Sequence, residues 1–206
     1  TVAASNDDWS TAGNAAQVAA TAAQLGAFAF PNGSFDAALL TTLNGGAYTA
    51  QTLGVGDTTG IALVELYDAN AVAASRLANV SARTQVGVGE NILIAGFTLA
   101  GSGKNTILIR AIGPSLGGFG VSGTLADPQL QLYRGGVSVP IVANDDWGGT
   151  AALRTAFVQA GAFALNAGSL DAALLVTLDP GSYTAHVSGL AGATGVVLIE
   201  LYELRQ

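Results

Sequence analysis

The sequence predicts a mainly β protein with two antiparallel, jelly-roll-like β-sandwich domains and one short helix in each of two repeated modules. Runs rich in Val, Ile and Leu alternate with turns that draw on 28 glycines. Such short strands, separated by turns about every 8–12 residues, are typical of a sandwich. In addition, half of the residues are apolar and only a tenth are charged, which is enough apolar material for a core in each domain.

The chain contains two copies of one module. Residues 36–67 align with residues 171–202 without a gap, and 18 of the 32 positions are identical. Upstream, the tetrapeptide Asn-Asp-Asp-Trp occurs in both copies and contains the only two tryptophans of the sequence. We call residues 1–70 the first copy, residues 139–206 the second copy, and the different sequence at about 76–140 the middle segment.

Each copy begins with a helix and continues with three strands. The Ala-rich stretches at 14–28 and 150–163 have helical spacing, and we expect these helices to end at Gly26 and Gly161. Turn residues such as Asn44-Gly45-Gly46 separate the apolar runs that follow. The expected strands are 37–43, 47–53 and 60–67 in the first copy and 172–178, 182–188 and 195–202 in the second.

The middle segment is also rich in strand formers. Residues 91–100 and 105–113 flank a Gly-Ser-Gly-Lys turn and predict one hairpin. Residues 128–134 and 137–143 flank Gly135-Gly136 and predict another.

These elements predict two domains that are joined near residues 68–76. The first, residues 1–70, is an incomplete sandwich module because no middle segment accompanies it within this sequence. The second, residues 71–206, is a full unit that combines the middle segment with the second copy at 139–206.

Several stretches of the second domain resemble a known bacterial fold. The sequences ADPQLQLYRGG, IVANDDW, DAALLVTLDPGSYTAHVSG and GVVLIELYE are similar to the pre-peptidase C-terminal type of β-sandwich. Residues 76–206 also resemble a repeat of large secreted bacterial proteins. The resemblance implies a non-catalytic appendage or an array unit outside the cell.

Composition excludes several classes of function. The net charge is −7 with a single lysine, so we expect no binding of nucleic acid or anionic membranes. No run of 18 apolar residues occurs, and we expect no membrane span. Cysteine is absent, which excludes disulfide and thiol chemistry. Few Lys and Arg residues leave few sites for trypsin-like proteases, and we expect an extracellular or cell-surface location.

The repeated Asn-Asp-Asp-Trp stretch allows three interpretations. A glycosidase-like acid pair is disfavoured because such carboxylates face each other across a cleft, whereas these are sequence neighbours. Calcium is possible, since carboxylate and amide oxygens suit a hard cation, but the spacing is not that of an EF-hand. The third and favoured interpretation is structural: Asn and Asp cap a turn, and Trp fills the end of the sandwich. The candidate ligands are Asn6, Asp7, Asp8, Asn144, Asp145 and Asp146.

Other candidate sites fit their motifs poorly. Gly101–Asn105 lacks the spacing of a phosphate-binding loop and predicts a hairpin turn. His186, the only histidine, aligns with Gln51, so a catalytic role is not favoured. Gly113 and Gly117 flank Ser115 with the spacing of a nucleophile elbow, but no combination of serine, histidine and acid repeats in both copies. We therefore expect neither catalytic activity nor a required cofactor.

Two charges lie inside apolar strands. Glu200 stands among alternating apolar residues that leave both faces of its strand buried, and Arg110 stands in a similar run. Because a buried carboxylate needs a partner, we hypothesise an ion pair between Arg110 and Glu200, with water-exposed strand ends as the alternative.

Glu65 occupies the position of Glu200 in the first copy, where no middle segment is available. A sheet that lacks a strand exposes unpaired backbone groups, which recruit strands from other chains. The predicted assembly edge is Thr1, Val2, Ala3, Ala4 and Glu65. Because Arg110 cannot pair with both glutamates, a trimmed precursor and a self-sufficient first copy are the alternatives.

These observations favour a structural protein that associates with itself head to tail into a filament or surface layer. The alternative is a calcium- or carbohydrate-binding accessory module of a larger secreted enzyme. It predicts a coplanar aromatic platform from Phe35, Phe119 and Tyr133.

Overall fold

The computed structural model describes residues 2–69 and 77–204, and the chain divides into two compact units, Thr1–Leu77 and Ala78–Gln206. The division falls at the end of the predicted joining region, 68–76, of which 70–76 lie outside the described residues.

The second unit is a β-sandwich of two four-stranded antiparallel sheets, which confirms the predicted mainly β fold. The first sheet has the strand order β1-β8-β3-β6, and the second sheet has the order β2-β7-β4-β5. The strands are β1 (Asn79–Val86), β2 (Leu93–Leu99), β3 (Asn105–Ile112), β4 (Pro128–Arg134), β5 (Val142–Asn144), β6 (Ala172–Leu178), β7 (Gly181–Gly189) and β8 (Gly195–Leu204).

One of the two predicted hairpins is wrong. Strands β2 and β3 follow each other in the chain but belong to opposite sheets: β2 pairs with β7, and β3 pairs with β6 and β8. The short connection at 100–104 therefore crosses from one sheet to the other. The second hairpin exists as predicted in outline, since β4 pairs with β5, although β5 has only three residues.

The first sheet has apolar side chains on both faces. One face packs against the second sheet, and the main core contains Ile107, Ile109, Val197 and Ile199 from β3 and β8. The other face is covered by the helix α2 (Ala151–Ala160), whose Leu153, Ala156 and Phe157 belong to a second core cluster. Because side chains alternate along a strand, every second residue of β3 and β8 points into this helix-covered layer.

Both predicted helices end where the sequence indicates. Helix α1 (Ala15–Leu25) stops at Gly26, and α2 stops at Gly161, each glycine adopting a left-handed conformation with φ near +70°. Glycine favours this conformation because it has no Cβ. At the other end of α2, the Thr150 hydroxyl accepts a hydrogen bond from the Leu153 amide, as an N-cap residue does.

The first unit has the turns and helix of the second copy but, in residues 2–69, none of the expected strands. It contains α1 and two short 3-10 turns, Trp9–Thr11 and Val55–Asp57. The latter corresponds to the turn Leu190–Gly192 that precedes β8. The runs 37–43, 47–53 and 60–67 carry no strand assignment. A strand needs a neighbour to pair with, and the described strands of the middle segment pair with the second copy.

Candidate functional site

The two Asn-Asp-Asp-Trp turns have the same hydrogen bonds. Asn144 accepts a bond from the Ala173 amide and donates to the Asp146 carbonyl. Asn6 does the same with Ala38 and Asp8, and the acceptor distance is 2.9 Å in both copies. Each asparagine thus bonds its turn to the start of the following run, which is β6 in the second copy and 37–43 in the first.

The tryptophans complete the same junction. Both indole rings are buried, and the Trp147 amide donates to the Asp171 carbonyl at 2.9 Å, as Trp9 does to Asp36 at 2.8 Å. Each indole N–H also bonds a serine hydroxyl, Ser169 or Ser34. This geometry suits the structural interpretation of the motif, in which the turn and its tryptophan fix the entry into the sheet.

The aspartates of the motif are more exposed than its tryptophans. Asp7, Asp145 and Asp146 are exposed, and Asp8 is half-buried. Burial raises the pKa of the Asp127 carboxyl group, and the negative charges of Asp146 and Asp145 raise it further. Within residues 2–69 and 77–204, no group of three or more His, Cys, Asp or Glu side chains is arranged to hold a metal ion.

Arg110 and Glu200 form a buried pair across β3 and β8. They are direct cross-strand neighbours, and Nε of Arg110 lies 3.1 Å from Oε2 of Glu200. Arg110 is fully buried and Glu200 is 7% exposed. Both point into the helix-covered layer, so this ion pair joins the middle segment to the second copy beneath α2.

Aromatic rings and a backbone carbonyl surround the guanidinium. Its central carbon lies 4.3 Å from the centroid of the Phe163 ring and 4.5 Å from that of Phe157. The Phe163 carbonyl accepts a bond from Nη1 at 2.7 Å. Burial lowers the pKa of Arg110, and the charge of Glu200 acts in the opposite direction. The rings and the carboxylate therefore replace part of the water that the cation loses.

Tyr202 extends this cluster on the side of the glutamate. Its hydroxyl donates to Oε1 of Glu200 at 2.9 Å. Burial, followed by the negative charge and hydrogen bond of Glu200, raises the pKa of the Tyr202 phenol well above its ordinary value. The neutral phenol is thus held as a donor to the carboxylate.

Asp171 is a second buried acid that sequence reasoning missed. It is fully buried and accepts hydrogen bonds from the Gly113 amide at 2.9 Å, the Ser115 amide at 3.3 Å and the Ser115 hydroxyl. The signal available in the sequence was its position, since the first residue of the repeated Asp-Ala-Ala-Leu-Leu is the same acid in both copies. Asp171 binds the loop after β3 and is a further link between the middle segment and the second copy.

The corresponding acids of the first copy lack these partners. Glu65 and Asp36 are exposed, and the Tyr67 hydroxyl donates to Glu65 at 3.2 Å as Tyr202 does to Glu200. Residues 1–70 include no lysine or arginine. Of the other predicted edge residues, Val2, Ala3 and Ala4 are exposed, and Thr1 lies outside the described residues.

The remaining sequence candidates occupy ordinary positions. Lys104 lies in the connection between β2 and β3, with Nζ 3.7 Å from Asp179 on an exposed surface. His186 in β7 is half-buried against the Tyr133 ring, with centroids 4.4 Å apart, and burial lowers its pKa. Ser115 is used in the bond to Asp171 described above. A surface cavity beside α2 is lined by Trp147, Arg154 and apolar side chains, with no carboxylate among them.

The aromatic residues suggested for a carbohydrate platform belong to separate contacts. Phe119 packs edge-on against Phe163, with ring planes at 65°, and Tyr133 contacts His186 in β7. Phe35 belongs to the other unit and is exposed. Neither helix in the described part of the chain is long and apolar enough to cross a membrane.

Comparison with solved structures identifies a similar domain. The chain is similar to the pre-peptidase C-terminal domain of a collagenase from Bacillus anthracis, with 10% sequence identity, a TM-score of 0.37, and coverage of 60% of this chain and 88% of that chain. The sequence resembles the same type of domain. No family model and no curated protein matches the chain.

Proposed function

We propose that this chain is a non-catalytic structural protein of the bacterial exterior, and that its chains join head to tail into a filament or surface layer. The joining surface is the first copy, which contacts a neighbour by strand addition. The observation that carries this proposal is the exposure of the first copy, where fourteen large apolar side chains between Val2 and Tyr67 are exposed. Exposed apolar side chains in such number are typical of a surface that another polypeptide covers.

The buried acids support a structural role over a catalytic one. Glu200 is paired with Arg110 and Asp171 is bonded to the loop after β3, so each connects two parts of the sandwich. A hydrolytic site needs carboxylates that converge on a space for substrate. The cavity beside α2 offers apolar walls and one arginine instead.

The composition supports an exterior location. The chain has only seven basic residues and no cysteine, so it presents few cleavage sites to trypsin-like proteases and does not depend on the redox state of its surroundings.

Electron microscopy and sedimentation of the purified chain over a range of concentrations test the proposal. We expect fibres or sheets, and we expect Ala62→Asp to prevent them. Ala62 is exposed, but its counterpart Val197 is fully buried in the main core, so a charge there blocks strand addition without disturbing the chain as it stands.

Val158→Asp is the matched control, because Val158 is 82% exposed on α2, outside any strand. Loss of assembly in both variants, or a monomer at every concentration of the unchanged protein, contradicts the proposal.

A further inference from the structure

The strands of the second copy do not pair with one another. In the first sheet, β6 pairs with β3, and β8 lies between β1 and β3. In the second sheet, β7 lies between β2 and β4. Every backbone partner of β6, β7 and β8 therefore comes from the middle segment, and a copy without such a segment has the sequence of three strands but no ladder.

We infer that the first copy is completed by a four-stranded polypeptide segment of the same chemistry as residues 77–138, with an arginine that meets Glu65. The inference rests on the proposed structural function and names the segment that strand addition would use.

The apolar surface of the first copy matches this occupant. Four of its exposed side chains have counterparts in the main core of the second unit, and these counterparts are at most 7% exposed. The exposed residues are Leu39, Leu43, Tyr48 and Val64, and their counterparts are Leu174, Leu178, Tyr183 and Ile199. The strands of the middle segment cover these counterparts, so the same strands would cover the first copy.

Charge is complementary as well. Residues 1–70 carry six acidic and no basic side chains, whereas residues 77–138 carry four basic and two acidic ones. Glu65 accepts a bond from Tyr67 just as Glu200 does from Tyr202, and Phe28 occupies the position of Phe163. The first copy thus has the equivalents of the carboxylate, of its tyrosine and of one of the two rings that surround Arg110. It has no equivalent of the arginine itself.

A duplicated segment tests this directly. Residues 77–138 are placed immediately before Thr1, which stands at the same distance from Asn-Asp-Asp-Trp as Val139 does. We expect a monomer in which the strand content measured by far-ultraviolet circular dichroism roughly doubles. We also expect the amides of residues 37–43 and 60–67 to become protected from hydrogen exchange, as those of β6 and β8 are.

Charge reversal tests the role of Glu65. In the duplicated protein, Glu65→Arg should remove the new protection, and replacing the arginine of the added segment with glutamate should restore it. Glu65→Arg in the unduplicated chain is the control and should leave the sandwich of the second unit unchanged.

The outcomes separate the two proposals. If the first copy of the duplicated protein stays unprotected, whether the protein is soluble or aggregated, the inference is wrong, although fibres of the original chain would still support the structural function. If the first copy becomes protected but Glu65→Arg has no effect, the arginine requirement is overturned. If duplication protects the first copy and the original chain never forms fibres, the inference stands and the filament proposal fails.

Discussion

Nε of Arg110 lies 3.1 Å from Oε2 of Glu200, and the two residues face each other directly across β3 and β8. Arg110 belongs to the middle segment and Glu200 to the second copy, so the pair bridges the two sequences that together make one sandwich. Neither Nη2 of Arg110 nor Oε2 of Glu200 forms a hydrogen bond within the described residues. Each charge therefore depends on the other for its stability in the buried layer.

Removal of the glutamate side chain should lower the free energy of unfolding in the second copy but not in the first. We expect Glu200→Ala to lower the free energy of unfolding of the second unit by about 3–5 kcal/mol, because it leaves Arg110 buried without its counter-charge. Glu65→Ala is the matched control and should change stability little, since Glu65 is exposed. Urea unfolding followed by circular dichroism measures both, and equal effects of the two substitutions would contradict this account of the pair.

Replacement of Asp171 should also destabilise the second unit, because its carboxylate accepts several buried hydrogen bonds. We expect Asp171→Asn to destabilise the second unit by about 1–3 kcal/mol, because an amide group cannot accept all three bonds from Gly113 and Ser115 as well as the carboxylate does. The control, Asp36→Asn, changes an exposed residue of the first copy and should be silent. A double-mutant cycle with Ser115→Ala should show coupling, and additive effects of the two substitutions would argue against the contact.

The sequence predicts those features that depend on local order. The helix ends at Gly26 and Gly161 follow from the conformational freedom of glycine, and alternation along 195–202 correctly separates the two faces of β8. Two charges inside apolar strands suggest a pair, and Arg110 and Glu200 lie in contact. These features depend on residue type and spacing, which the sequence contains directly.

Strand partners are harder to predict, because spacing does not identify a neighbour. Residues 91–100 and 105–113 have the length and turn of a hairpin, yet β2 and β3 pair with strands of the second copy in opposite sheets. The sequence of 37–43 closely resembles that of β6 but carries no strand assignment, because a strand also needs a neighbour with which to pair. The burial of Asp171 likewise depends on the loop after β3, which is far away in the sequence.

The raised pKa of Tyr202 predicts a loss of stability in alkaline solution. Its folded-state pKa lies above the unfolded value of about 10, so the stability it contributes is constant below that pH and decreases as pH rises past it. We expect the unfolding midpoint of the second unit to fall above about pH 10, with a smaller slope in Tyr202→Phe. A slope unchanged by this substitution would exclude Tyr202 as the titrating group.

The turn asparagines test a feature that does not depend on the middle segment, because their hydrogen bonds exist in both copies. Asn6 binds the Ala38 amide as Asn144 binds the Ala173 amide, at 2.9 Å in each case. We expect Asn6→Ala to remove the protection of the Ala38 amide from hydrogen exchange and to destabilise the turn by about 1 kcal/mol, and Asn144→Ala to do the same at Ala173. Glu65→Ala and Asp36→Ala should leave the Ala38 amide protected, since the turn does not depend on their side chains. If the Ala38 amide exchanges freely in the unchanged protein while that of Ala173 is protected, the first copy does not form its turn alone, and the turn would then need the missing strands as much as the sheet does.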